Sequence, residues 1–426
     1  MGVLNFIINE IFGQGAIFIS LIALIGLLLQ KKPFTEVIRG TMMTAIGFFV
    51  LNTGTGLITG NSINGLAQAF NTMMPQAVES TTVDIGGTYG TEIGIVMLLA
   101  FAINLLFARF TKWKSVFLTG HMLYWFPFVF IAAGVDAGLS GTKLIVLATI
   151  FTATYMCTAP NLMKPLVKKV TGDDSFTIGH PTTILSLISA FLAKHLGNEK
   201  KSTEDLKFPK SLGFLREVSI TGSLVICLTY IVMAIILSVN GFNPGEVWGY
   251  AGGKTGIFTY IFTHSIYFGV GVTVMLLGVR MLIAEIVPAF KGIAEKVVPG
   301  AIPALDCPVI FGYAPNALTL GFIVAMITST ISIIIVNAMG IFPTVIIPLT
   351  FTCFFEIGCA SIVGNAYGGV RGCIIGAAVS GIVMVLLVGF GSYFFNNTIQ
   401  SWMLVYGGQD FSLWGIIEGL IARLIA

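Results

Sequence analysis

The residues best equipped for chemistry lie in four short polar clusters, each set in an apolar stretch. The first surrounds Asp306 in Ala301-Ile302-Pro303-Ala304-Leu305-Asp306-Cys307-Pro308-Val309-Ile310-Phe311-Gly312-Tyr313-Ala314-Pro315-Asn316. Three prolines, with Gly312 and Asn316, break any helix there, because proline removes a backbone donor and clashes with the preceding turn. At membrane depth, freed backbone groups persist only against protein or a water-filled cavity. An acid in such a place is costly and marks a candidate site. The alternative is an acid paired to a neighbouring helix for structure alone.

The second and third clusters are Leu118-Thr119-Gly120-His121 and Phe176-Thr177-Ile178-Gly179-His180-Pro181-Thr182-Thr183. A neutral imidazole both donates and accepts, as a hydroxyl-rich ligand requires. Pro181 suits the start of a helix whose first turn faces the site, with Thr182 beside it. The fourth cluster, Asn52-Thr53-Gly54-Thr55-Gly56, combines amide and hydroxyl groups with glycines that admit a ligand to the backbone. Each has a plainer alternative: a structural histidine in a packed helix, or close helix contact through small residues. Together Asp306, His121, His180, Asn52, Gly54, Thr55, Thr182 and Asn316 suit a neutral or weakly acidic polyol held by several hydrogen bonds. Glu92 and Glu356 are the candidates for a second intramembrane acid. His264, between Thr263 and Ser265, could join a relay but reads better as a packed helix residue.

Catalytic readings find no support. There is no Gly-x-x-x-x-Gly-Lys-Ser/Thr loop, no Gly-x-Ser-x-Gly and no nucleophile of the chain's own. The six cysteines, Cys157, Cys227, Cys307, Cys353, Cys359 and Cys373, form no Cys-x-x-Cys and no Cys/His metal spacing. Neither a metal nor a cofactor is expected.

The elements that must position these residues are membrane helices. Of the 426 residues, 56% are hydrophobic and 10% charged, and mean hydropathy is +0.94; that is the composition of an integral membrane protein. A net charge of +3, without a basic patch, argues against a nucleic-acid partner. No basic residue precedes the first apolar run, so it does not read as a signal peptide. Spans are predicted near 3–29, 36–58, 91–108, 117–134, 143–160, 217–239, 255–279, 318–338, 344–366, 372–396 and 411–425. The expected fold is an all-α polytopic membrane protein with about eleven spans. Two broken segments, near 176–193 and 299–316, are expected to be re-entrant hairpins. Residues 1–426 form one membrane domain with no soluble domain.

Lys and Arg mark cytoplasmic loops. Lys31, Lys32 and Arg39, then Arg109, Lys112 and Lys114, then Lys164, Lys168 and Lys169, follow alternate spans, and Gly197–Arg216 is a basic loop near the middle of the chain. The alternation places the N-terminus outside and the C-terminus in the cytoplasm, provided both hairpins enter and leave on the cytoplasmic side. Gly278–Val298 carries Arg280, Glu285, Lys291, Glu295 and Lys296 among apolar residues; it reads as an amphipathic helix at the cytoplasmic interface or as a solvated loop helix. Glu36–Gly40 before the Asn52–Gly56 break and Pro288–Gly292 before the Asp306 break make a weak internal repeat. Inverted repeats with midplane sites on interrupted helices are a common transporter plan.

Taken as a set, these motifs resemble the membrane (EIIC) component of bacterial phosphoenolpyruvate-dependent phosphotransferase systems, in the ascorbate–galactitol group and most closely the ascorbate type. The resemblance covers nearly the whole chain. It is carried by Arg39-Gly40-Thr41…Ile46-Gly47-Phe48, Thr53-Gly54-Thr55-Gly56, Leu118-Thr119-Gly120-His121, Phe176-Thr177-Ile178-Gly179-His180 and Glu204-Asp205-Leu206-Lys207. Further carriers are Gly278-Val279-Arg280-Met281…Ala284-Glu285, Pro299-Gly300-Ala301…Asp306-Cys307 and Ala314-Pro315-Asn316-Ala317. It implies a homodimer in the cell membrane, each protomer with an interface region and a mobile core that carries the hairpins and the substrate. It places Asp306, His121 and Gly54 at the substrate and His180 beside it. It implies elevator-like motion and phosphorylation of the sugar by a separate EIIB protein bearing a phosphocysteine. Two departures stand out: Trp125 and Pro181 occupy positions where the ascorbate type has glutamines that touch substrate. The Thr-Tyr contact of the family falls on Thr88-Tyr89 at best. The substrate class is therefore a small sugar, sugar acid or polyol. An ion-coupled secondary transporter, with Asp306 taking the ion, is the second reading, and a receptor that binds without moving its ligand the third.

Overall fold

The structure is a computed structural model. It describes residues 6, 10–11, 14–73, 83, 85–120, 122–206, 217–253, 256–344, 346, 348–398, 403 and 407–426. Among the described residues the principal helices are α1 (Gly15–Leu29), α2 (Phe34–Ile58), α3 (Asn64–Met73), α4 (Gly90–Phe110), α5 (Met122–Asp136), α6 (Gly141–Thr171), α7 (Thr183–Leu196), α8 (Val218–Val239), α9 (Ile257–Lys296), α10 (Pro315–Ala338), α11 (Thr350–Gly391) and α12 (Asp410–Ile425). Seven helical stretches among these residues are long and apolar enough to cross a membrane, and Ala16–Leu29, Met122–Asp136 and Thr183–Leu196 are shorter apolar helices. Their outer faces carry apolar side chains such as Leu228, Ile235, Ile334 and Phe390 in exposed positions, which hydrocarbon would cover.

Two predicted boundaries move. The span near 255–279 and the interfacial helix at 278–298 are one 40-residue helix, α9. It continues because its far end is buried: Ile286, Ala289 and Ile293 are inside the protein, and Gly26 of α1 lies so close that a Cβ there would collide with the Ala289 carbonyl. Arg39 of α2 meets Glu285 through two bonds of 2.8 and 3.3 Å. The spans near 344–366 and 372–396 are joined as α11, but Gly368 and Gly369 are non-helical within it. Gly369 has φ +60°, a conformation open chiefly to glycine.

α2 and α9 run antiparallel through small residues seven apart. Gly40 faces Glu285, Gly47 faces Gly278, and Gly54 faces Gly271 and Met275. At Gly47 and Gly54 the two backbones meet directly, the usual basis of helix association in lipid.

The two broken segments and the stretch before α5 together hold a feature that the all-α expectation lacked. Three short strands, β1 (Ser115–Phe117), β2 (Thr177–Ile178) and β3 (Ile302–Leu305), form a parallel sheet in the order β1-β3-β2. Phe117 pairs with Ala304, Thr177 with Ala304 and Ile178 with Leu305. Pro303 precedes the first residue of β3 that pairs with β2, and Ile302 and Ala304 make the bonds to β1, so its missing N–H leaves no ladder bond unmade. Asn104, fully buried on α4, braces β1: its Oδ1 accepts from the Phe117 amide at 2.9 Å and its Nδ2 donates to Met156 O at 3.1 Å. Pro160 lacks the N–H that would otherwise reach Met156 O, so Asn104 satisfies an acceptor that the proline orphaned.

Candidate functional site

Parallel strands point the same way, so the residues that leave their C-terminal ends gather at one edge of the sheet. After β1 come Leu118, Thr119 and Gly120; after β2, Gly179 and His180; after β3, Asp306 and Cys307. The Leu118 amide donates to Ala304 O at 2.9 Å and the Gly179 amide to Leu305 O at 2.8 Å, which continues the ladder to the edge of the site. Thr119 Oγ1 donates to Ala304 O at 3.2 Å. A Cβ at Gly179 would strike Thr119 Oγ1, so a glycine there lets the two motifs approach.

Asp306 caps the 3-10 segment Cys307–Tyr313, accepting from the Cys307 amide at 2.7 Å. The same carboxylate oxygen lies 3.5 Å from His180 Nε2. On the other edge of the ring, Nδ1 lies 3.7 Å from Glu356 Oε1. His180 is 2% exposed, Glu356 1% and Asp306 9%, so the three form a nearly enclosed acid–imidazole–acid array. Glu356 is the second acid that the sequence offered as a candidate. Glu92, the other, lies in the first turn of α4. The donor atoms of His180, Asp306 and Cys307 lie within 4.8 Å of one another; this is the set that a borderline-soft divalent cation would meet.

A third buried acid, which sequence reading missed, holds the array from behind. Asp410, at the start of α12, accepts from the Thr183 and Ile184 amides at 2.9 Å each and from the Tyr155 hydroxyl at 2.7 Å. It thus caps α7, a helix far from it in sequence, with an acid at the positive end of the helix. Tyr155 is also within 3.3 Å of the His180 carbonyl. Thr182 is committed to the scaffold: its hydroxyl donates to Glu356 O at 2.8 Å, which ties α7 to α11.

The remaining sequence candidates have these surroundings. Gly54 is in the α2–α9 contact, Asn52 is exposed on α2, and Thr55 is in the same helix. Asn316 is in the first turn of α10, where its Nδ2 donates to Thr203 O at 3.1 Å and its amide meets Glu204. Trp125 sits among aromatic side chains on α5, with ring centroids 5.3 Å from Tyr124 and 5.2 Å from Phe128. His121 lies outside the described residues. Tyr89 immediately precedes α4, and Thr88 closes a single helical turn before it. His264 is a packed residue, stacked 3.8 Å from the Tyr260 ring. All six cysteines are free thiols.

A polar pocket of about 320 Å³ opens at the end of the Cys307–Tyr313 segment, lined by Lys169, Glu199, Glu204, Tyr313 and Asn365 among others. On α11, Asn365 stands nine residues from Glu356, about 13 Å along a helix.

A polytopic helical protein with a buried polar array on interrupted segments has the architecture of a membrane transporter. A family model, described as the PTS system sugar-specific permease component (EIIC-GAT), matches residues 10–408. The chain belongs to that family, whose members are multi-pass proteins of the cell membrane. It is similar to the ascorbate-specific PTS system EIIC component of Mycoplasma pneumoniae, at 25% identity over 460 aligned positions that cover 95% of this chain and 69% of that protein.

Proposed function

We propose that the chain captures a small hydroxyl-rich carbohydrate of the ascorbate class, a sugar acid, sugar or polyol, at the end of the three-stranded sheet and carries it across the membrane. The convergence of Asp306 and His180, 3.5 Å apart, carries this reading. A carboxylate accepts from sugar hydroxyls, and an imidazole can donate or accept beside it. Burial excludes water that would compete for those bonds. By family resemblance His121 and Gly54 join the site.

The segments bearing β2 and β3 act as re-entrant hairpins of a core that moves as a unit, elevator fashion, against an interface that pairs two copies of the chain. The N-terminus faces outward and the C-terminus the cytoplasm. At the cytoplasmic side a phosphorylated EIIB protein meets the sugar. A sugar hydroxyl then attacks phosphorus, the S–P bond of the phosphocysteine breaks, and the hydroxyl proton is released. The chain needs no nucleophile for this.

The test is uptake of labelled L-ascorbate, with a panel of sugars and polyols as competitors, by vesicles holding the purified protein. Uptake that requires phosphorylated EIIB inside and yields a sugar phosphate supports the reading. Uptake driven by an ion gradient alone would replace it with a secondary transporter. Tight binding with no uptake in either condition would make the chain a receptor.

A further inference from the structure

We propose that Asp410 is a positioning residue for sugar capture: from α12 it brackets the tight turn that presents His180, and so sets where the His180 ring stands against Asp306. The part played in sugar capture rests on the permease reading; the bracketing of the turn does not.

The turn is weak by itself. Between β2 and α7 the chain reverses within His180-Pro181-Thr182, closed by one bond from the Thr182 amide to His180 O at 2.7 Å. A bond from residue i+2 to residue i makes a γ-turn, and proline's fixed φ suits its centre. The first amides of a helix have no partner within it. Pro181 O and the Thr183 and Ile184 amides therefore need partners from elsewhere.

Asp410 meets all three. Its amide donates to Pro181 O at 3.3 Å, and its carboxylate accepts from the Thr183 and Ile184 amides at 2.9 Å each. The grip extends to His180 itself, because Tyr155, whose hydroxyl donates to Asp410 at 2.7 Å, also reaches His180 O at 3.3 Å. Tyr155 is held in turn: Phe126 stacks on its ring at 3.8 Å, and Trp414 of α12 packs edge-on at 5.7 Å. Asp410 is 1% exposed and Tyr155 fully buried, so a lost bond is not made good by bulk water.

Each group that meets the carboxylate is a donor: two amides and a hydroxyl. An acceptor-only carboxylate satisfies them all. In D410N the side-chain nitrogen faces a backbone N–H whichever way the amide is turned. The turn then keeps its ties to β3, through the Gly179 amide, and to α11, through the Thr182 hydroxyl, but loses its hold on α12. Binding groups work when held to within about 0.5 Å, and His180 Nε2 stands 3.5 Å from Asp306.

The experiment compares D410N and Y155F with the parent in three ways: ascorbate uptake by vesicles with phosphorylated EIIB, thermal unfolding, and nitrogen-15 NMR of histidine-labelled protein in detergent. The chain has four histidines, and H180Q assigns the signal. D410N is expected to raise the uptake KM about tenfold, the scale of one lost buried hydrogen bond. The maximal rate should stay within about twofold of the parent's, and the His180 ring signal should shift. Y155F keeps both amide bonds and should move KM and signal the same way by less. A D410N protein that keeps either the parent KM or the parent His180 signal overturns the proposal, whatever its melting temperature, since the acid then supports the fold alone. Should D410N fail to fold, Y155F decides by the same two readouts. A parent that takes up no ascorbate counts against the permease reading, and the His180 signal of D410N then decides the bracket by itself.

Discussion

Two regions of this molecule look alike in sequence and do different work in the structure. The Asn52–Gly56 stretch and the Gly179–Thr182 stretch both set glycine beside polar side chains in apolar surroundings. In the first, glycine brings two helix backbones together: Gly54 lies against Gly271 and Met275, with Gly47 and Gly40 continuing the seam. In the second, glycine brings two polar motifs together, and His180 ends up between two acids. The difference comes from what lies opposite. α2 meets a helix that is itself glycine-rich at matching spacing, whereas Gly179 meets the end of a strand, where backbone direction changes and side chains converge.

That contrast can be broken most sharply at Gly54. Gly54→Leu should destabilise the protein by about 3 kcal/mol, because the new side chain meets backbone that cannot give way. Thermal unfolding in detergent measures it. An unchanged melting temperature with weakened sugar binding would instead make Gly54 a ligand contact, as the family resemblance implies.

Asp306→Asn should do the converse, with melting held and affinity lost. Removing a charged acceptor should cost about 1.5–3 kcal/mol of binding, read by calorimetric titration of the transported sugar. Equal affinities would place the ligand elsewhere.

A smaller effect is expected at the α11 break. Gly369→Ala puts a side chain at φ +60° and against the Lys201 and Asn198 carbonyls. The left-handed backbone alone should cost about 1–2 kcal/mol, seen as a lower melting temperature. Smallest is Glu204→Gln. Glu204 accepts from the Ala317 and Asn316 amides at 3.0 and 3.3 Å, and loss of its charge at the start of α10 should cost about 0.3–1 kcal/mol. High salt should shrink that difference, and a salt-independent value would show that the charge is not what matters.

The apolar helices and the two breaks before α7 and α10 were legible because apolar runs and prolines are local signals, though seven long apolar helices, not eleven, stand among the described residues. Asp306, His180 and the pairing of broken backbone with charge were legible for the same reason. The sheet was not, since strands of two to four residues show no alternation and their partners lie far away in the chain. Asp410 reads in sequence as the opening of its own helix; its partner at Thr183 is 227 residues distant. The charges of Gly278–Val298 suggested an interfacial helix because Arg39, which faces Glu285, belongs to another element. Small residues spaced by seven were visible in both α2 and α9, but a single sequence does not say that the two stripes face each other.

The middle of the chain, which charge alone marks as a loop, is clasped to the bend in α11. The Asn198 amide donates to Gly368 O and the Val370 amide to Lys201 O, each at 2.7 Å, while Asn365 accepts from the Thr203 amide at 2.8 Å. The stretch therefore works less as a tether than as a rivet between the front and back of the polypeptide. Two fragments expressed separately and divided there would each lose half of the joint, and neither would keep the angle at which α11 wraps α7.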